Sequence, residues 1–175
     1  PEENPLLEKF LGDKKTYAYD LQLHFLNMRS QQRLIGKKGD HSYVKDRSLP
    51  EDYLTFSRML HNQGYLSENQ LDDLSIKFRK KCQELPDSDL LIILKGSPEL
   101  AWQRIVQRGR LAEVEGGWNI EDITFLAGLY KTYGKEVKYG FHDGPILEID
   151  VGKVDLLNRI HLGYVFDEIH RALNQ

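Results

Sequence analysis

The chain reads as an α/β protein with a parallel sheet covered by helices on both faces, a three-layer α/β/α arrangement. Three observations predict it. The run Asp89-Leu90-Leu91-Ile92-Ile93-Leu94-Lys95 is apolar without alternation, the pattern of a strand buried on both faces. A second run, Pro145 to Val151, has strand composition, and the stretches around both repeat apolar residues at spacings of three and four, as helices do. Strands alternating with helices specify a parallel sheet, because a parallel crossover needs an intervening helix.

Taken in order, Asn4-Pro5 is a helix-start signal for a short helix carrying Leu6, Leu7 and Phe10 and ending at Gly12. A longer helix follows from about Lys14 to Ile35. Leu21, Phe25 and Met28 mark one stripe of it, and Gln22, Leu26 and Arg29 mark the neighbouring stripe. Gln22 and Arg29 are nearly eclipsed and can address one ligand, unless that stripe faces solvent. A loop over Gly36–His41 leads to a short strand, Ser42–Lys45, which delivers Asp46, Arg47 and Ser48 ahead of a helix opening at Pro50 and closing at Gly64. That helix buries Phe56, Met59 and Leu60. Ser67 and Gln70 have capping-box spacing for a helix reaching about Glu84, with Leu71, Leu74 and Phe78 on one side, and Pro86 ends it.

After the strand at 89–95, Ser97 and Pro98 are the cap and first residue of a helix whose inner side carries Leu100, Ala101, Ile105 and Val106. Arg104, Arg108 and Arg110 form the densest positive spot in the chain, followed by Glu113, Glu115 and Gly116-Gly117. They read either as a salt-bridged helix end or as an arginine-rich lid at about 108–118. Asn119 caps a helix to Val137. The strand at 145–151 and a terminal helix with Leu162, Val165, Phe166, Ile169 and Leu173 complete the chain. Three strands make a narrow sheet whose edges need cover, which leads us to expect one or two further strands upstream of Pro1.

The length, 175 residues, fits a single domain over 1–175, enough to bury roughly 70% of the unfolded surface. With a net charge of -3 there is no basic footprint for duplex nucleic acid, so any anion site must be local. One cysteine, Cys82, excludes an internal disulfide and fits a reducing compartment. No run is long and apolar enough for a membrane span, and we expect a cytoplasmic protein.

The six histidines are scattered without zinc-type spacing, and neither Gly-x-Ser-x-Gly nor Gly-x-Gly-x-x-Gly occurs. Metallohydrolase, serine hydrolase and dinucleotide chemistry therefore lose ground. What remains is an acid and an arginine after one strand, an arginine cluster after another, and a Gln/Arg stripe. In open parallel sheets the ligand crevice lies outside the carboxyl ends of the strands. Asp46 there can hold a metal through water, and Arg47 can clamp a phosphate, unless Asp-Arg-Ser is only a turn capping the next helix. Arginines plus an acid for magnesium point to phosphoryl transfer, where positioning and charge neutralisation do most of the catalysis.

Four blocks in consistent order resemble the deoxynucleoside kinase family, particularly its bacterial deoxyadenosine/deoxyguanosine kinase branch: ENPLLEKF at 3–10, LQLHFLNMR at 21–29, DRSLPEDY at 46–53 and QRGR at 107–110. The resemblance implies the P-loop nucleoside kinase fold and transfer of the ATP γ-phosphoryl to a deoxynucleoside 5'-hydroxyl with Mg2+. It implies that Gln22 pairs with the base, that Arg29 and Asp52 form a charge pair shaping the base pocket, and that Phe56 packs on the base. Asp46 would sit near magnesium, Arg47 near the 5'-oxygen, and Glu113 on the sugar 3'-hydroxyl. Arg108 and Arg110 would be lid residues on the transferred group, and Arg104 would lie over the donor adenine. A purine deoxynucleoside or deoxycytidine is the implied acceptor, and a homodimer the implied assembly.

Two departures stand out. Leu11 occupies a position where family members carry a tyrosine. The family's phosphate-binding loop and catalytic glutamate would precede Pro1, in a segment of roughly forty residues holding a strand, loop, helix and second strand. The alternatives are an inactive homologue serving as a nucleoside-binding or assembly subunit, to which Leu11, Gly128 and Gly134 lean, and a nucleoside monophosphate kinase, disfavoured because the Gln22/Arg29/Asp52 pocket suits an uncharged acceptor.

Overall fold

The computed structural model describes residues 5–38, 42–110 and 118–174. They form two compact units, one within residues 1–86 completed by Lys135–Phe141, the other made of Asp87–Gly134 and His142–Gln175.

The first unit is helical. Helix α1 (Pro5–Gly12) packs on the long α2 (Lys14–Lys38), which runs three residues further than its sequence pattern requires. A single turn, α3 (Leu49–Glu51), continues into a π-helical segment, Asp52–Ser57, and then into α4 (Arg58–Asn62). Gly64 takes φ +78° after α4, the left-handed geometry that favours glycine at a helix end. Helix α5 (Glu68–Glu84) opens on the predicted box: the Gln70 N–H donates to Ser67 Oγ, and the Ser67 N–H donates to Gln70 Oε1.

The core of this unit gathers Ala18, Leu21 and Leu26 of α2, Tyr53 and Leu54 of the π segment, and Leu74 and Phe78 of α5. Leu74 and Phe78 are fully buried, each stabilising by about 1.5–3 kcal/mol relative to exposure. Tyr53 stacks on Phe78 with ring centroids 6.0 Å apart, and Phe141, from the segment that returns to this unit, lies 6.3 Å from Tyr53. Arg79 covers the outer face of Phe141 at 4.7 Å.

The second unit holds the sheet. Strands β1 (Leu91–Lys95) and β2 (Ile146–Asp150) pair in parallel, Leu91 opposite Ile146 and Lys95 opposite Asp150. Helices α6 (Pro98–Arg108), α7 (Ile120–Val137, whose last turn belongs to the first unit) and α8 (Arg159–Leu173) complete the element order. Caps fall where the sequence places them: Ser97 Oγ accepts from the Leu100 N–H, and Asn119 Oδ1 accepts from the Asp122 N–H. Gly134 has a packing reason rather than a catalytic one, because a Cβ there would meet Glu148 and Ile93 of the sheet.

Three expectations are corrected. Ser42–Lys45 is not a strand: a strand exists only by hydrogen bonding to a neighbour, none pairs with this segment among the described residues, and Val44 is 89% exposed. Burial of β1 is one-sided, with Ile93 inside and Leu94 half-exposed. On α8, Val165 is buried and Leu162 and Ile169 are half-buried, whereas Phe166 and Leu173, which helical spacing places on the same side, are exposed.

A small buried network closes the second unit. His142 is buried, its Nδ1 lies 2.8 Å from Asp87 Oδ2, and its Nε2 lies 3.1 Å from the Pro145 carbonyl. The ring is thus held between a carboxylate and a carbonyl. Burial raises the Asp87 pKa, but hydrogen bonds from His142 and from the Asp143 and Ser88 N–H groups outweigh it and hold the carboxyl down at about 2. A depressed carboxylate stabilises the fold above its unfolded pKa and loses that contribution as pH falls toward 2. Urea unfolding should therefore show Asp87→Asn costing about 1–2 kcal/mol at pH 6 and the gap narrowing steadily from pH 4 downward.

Candidate active site

The π segment organises the candidate site in the first unit. An inserted residue in a helix turns successive side chains less far per residue, so Asp52 and Ser57 both reach side chains of α2, and such insertions recur at functional sites. Opposite them stands the α2 stripe that the sequence singles out. It is buried: Gln22 is 2% exposed, Leu26 3% and Arg29 8%.

Arg29 Nε donates to Asp52 Oδ2 at 2.5 Å, and Arg29 Nη1 donates to the Asp46 carbonyl at 2.9 Å. One guanidinium thus ties the long helix to the π segment and to the loop carrying the candidate metal ligand. Asp52 is 1% exposed, and burial pushes its carboxyl up to about 6 although Arg29 pulls it down. The second polar contact was not foreseen: Ser57 Oγ lies 3.0 Å from Gln22 Oε1 and 3.0 Å from the Asp52 carbonyl.

The loop before α3 serves two purposes. Ser48 caps the turn, accepting from the Glu51 N–H while the Glu51 carboxylate accepts from the Ser48 N–H. The capping reading of Asp-Arg-Ser is therefore right for the serine. Asp46 and Arg47 are not consumed by it and are exposed. Arg47 adopts φ +66°, a left-handed conformation costing a non-glycine residue about 1–2 kcal/mol, and its guanidinium lies 4.1 Å over the Phe56 ring. Lys45 adds to a local positive field with Arg29 and Arg33; burial, and then the two arginines, lower its pKa to about 8. The net charge of the chain hides this patch.

In the second unit, Arg104 Nη2 donates to the Val151 carbonyl at 3.1 Å. It lies beside a cleft of about 480 Å³ at the carboxyl ends of β1 and β2, lined by Lys95, Ser97, Leu100, Asp150, Gly152 and Lys153. Arg108 ends α6, Gly109 caps it with φ +64°, and Arg110 follows, both arginines exposed. Glu113 and the rest of the lid, residues 111–117, lie outside the described residues.

Among the described residues no cluster of three or more His, Cys, Asp or Glu side chains is placed to hold a metal. Asp46 alone suits magnesium nonetheless, since that ion usually keeps several waters and takes one or two carboxylates plus substrate phosphates.

Comparison with known proteins decides the family. The model of the family described as deoxynucleoside kinase matches residues 1–172. The chain belongs to the deoxynucleoside kinase family. Such proteins are ATP-dependent phosphotransferases acting on deoxynucleosides. The chain is 31% identical over 160 residues to the deoxyadenosine/deoxycytidine kinase of Bacillus subtilis, spanning 90% of this chain and 70% of the relative. It is 30% identical over 131 residues to the deoxyadenosine kinase of Dictyostelium discoideum, covering 75% of this chain and 51% of that one. The deoxyadenosine kinase of M. mycoides, solved with the products dCMP and a flexible dCDP bound, superimposes with a TM-score of 0.79 at 25% identity, covering 97% of this chain and 82% of that chain.

Proposed function

We propose that this deoxynucleoside kinase phosphorylates a purine deoxynucleoside or deoxycytidine at its 5'-hydroxyl. The observation that carries the reading is the buried row of Gln22, Arg29, Asp52 and Ser57, in which one amide stands beside a charge pair already compensated within the protein. Such a pocket offers hydrogen bonds to a planar, uncharged base. Relatives named for deoxyadenosine, deoxycytidine and deoxyguanosine agree with it.

In this reading Gln22 pairs with the base edge, Phe56 packs on the base, and Arg29 with Asp52 fixes the pocket wall. Glu113 takes the sugar 3'-hydroxyl. Arg47 orients the 5'-oxygen and draws the phosphates toward it, aided by the field of Lys45 and Arg29. The 5'-oxygen forms its bond to the γ-phosphorus of ATP as the bond to the β,γ-bridging oxygen breaks, its proton leaves to a base, and ADP departs. Arg108 and Arg110 compensate charge on the moving phosphoryl group, and Arg104 covers the donor adenine. Asp46 would hold Mg2+, which when bound neutralises phosphate charge. The working form is a cytoplasmic homodimer.

Transfer from γ-labelled ATP with magnesium, using the natural protein and the four deoxynucleosides separately, tests this. Labelled product is expected with deoxyadenosine, deoxyguanosine or deoxycytidine. Product with thymidine alone, with monophosphates alone, or with none of them overturns it.

A further inference from the structure

The hydroxyl of Ser57 has one proton and two acceptors at equal distance, Gln22 Oε1 and the Asp52 carbonyl, each at 3.0 Å. Ser57 is fully buried and Gln22 is 2% exposed, so neither is bathed by bulk solvent and a lost partner is costly. The proton must choose. If it goes to Gln22, the amide oxygen faces the serine. If it goes to Asp52, a serine lone pair faces Gln22, and the amide gains by rotating half a turn so that its NH2 group donates to Ser57 instead. In both arrangements every group between the two side chains is paired, because a hydroxyl donates and accepts while an amide carries an acceptor and a donor at its two ends.

Resting on the reading of Gln22 as the base-pairing residue, we propose that Ser57 is a positioning residue for that amide and acts as a two-way partner. It lets Gln22 present its oxygen and nitrogen to the base in either order. One order complements an amino group beside an unprotonated ring nitrogen, as in adenine, and the other complements a carbonyl beside a ring N–H, as in 6-oxopurines. Discrimination between the two patterns is therefore weak, because Ser57 supports the amide in either order. A partner able only to donate or only to accept would hold the amide in one order and leave the wrong base facing an unpaired buried group, a mismatch that sites of this kind reject by about 10⁴-fold. The π segment is what places Ser57 there, five residues beyond Asp52 and on its side of the helix.

Deoxyadenosine and deoxyinosine differ in this edge pattern, so they are the test pair. Dissociation constants and initial rates are measured for both with the natural protein and with Ser57→Ala, which fits the same space. The wild type is expected to bind both within about tenfold of each other, and Ser57→Ala to weaken both by about tenfold, the size of one lost hydrogen bond, through KM with kcat within about twofold. A wild type that prefers one nucleoside by more than about 100-fold, a variant weakened toward only one of them, or a variant whose change is confined to its melting temperature overturns the proposal. Turnover tests the kinase reading separately: absent turnover with both nucleosides bound comparably sinks the reaction and leaves Ser57 standing, whereas normal turnover with one nucleoside excluded does the reverse.

Discussion

Replacing Arg29 by methionine is expected to destabilise the protein by about 3–5 kcal/mol at pH 8, the cost of leaving a buried carboxylate without its counter-charge. The number is large because Asp52 is 1% exposed and its carboxylate oxygen meets Arg29 Nε at 2.5 Å. The same substitution frees the Asp46 carbonyl, which loses the Nη1 hydrogen bond. The pH dependence has a definite sign. Burial already raises Asp52 to about 6 in the presence of Arg29, and without the arginine it rises further. A carboxyl raised above its unfolded pKa contributes stability that is full below the unfolded value and lost as pH climbs through the folded one. The penalty for Arg29→Met therefore shrinks at pH 5, where the neutral carboxyl needs no cation. Denaturant unfolding at both pH values checks this, and an equal penalty at both would show that the pair is not what the arginine supports. The double variant Arg29→Met/Asp52→Leu, with two apolar side chains in place of two charges, should regain most of the stability. It should not regain nucleoside affinity, which separates the pair's role in the pocket from its role in the fold.

How far the residues announced this site depends on which physical signal each one carries. Gln22 and Arg29 were legible because seven residues of helix return a side chain to the same face, and two polar groups on an otherwise apolar stripe ask for partners. Asp52 and Phe56, and the pairing of Asp52 with Arg29, were expected from likeness to the family, and the structure holds that pair at 2.5 Å. Ser57 was not legible: nothing in helical periodicity reveals a π insertion, and without it Ser57 turns away from Asp52. Nor did Ser42–Lys45 betray itself, since its composition suits a strand and only a missing hydrogen-bonded neighbour makes it a loop. The left-handed turn at Arg47 was equally hidden, because Asp-Arg-Ser carries none of the glycine or asparagine that normally marks such a position.

That turn leads to the other large effect. Arg47→Gly should lower kcat by about 10³-fold or more, the range removed when a phosphate-compensating arginine is lost, while leaving the protein no less stable than the wild type. Glycine adopts φ +66° without strain, releasing about 1–2 kcal/mol that arginine spends on the left-handed backbone. Against this stands the guanidinium on Phe56, 4.1 Å from the ring centre, worth about 0.5–1 kcal/mol at an exposed position. With the roughly 0.5–1 kcal/mol of extra backbone entropy that glycine loses on folding, the terms nearly cancel, so thermal unfolding of Arg47→Gly should match the wild type. Asp46→Asn, whose side chain is exposed, should also fold normally and lose turnover by orders of magnitude if its carboxylate serves magnesium, with partial recovery when magnesium is raised. The comparison with Arg47→Lys is informative: lysine keeps the charge but neither the flat fork nor the stacking, so it should retain only a small part of the rate. An Arg47→Gly enzyme with near-normal kcat would mean that the strained arginine orders the loop and does not touch the reaction. A residue kept in an unfavourable conformation at no net gain to the fold is otherwise best explained by what its side chain does to the substrate.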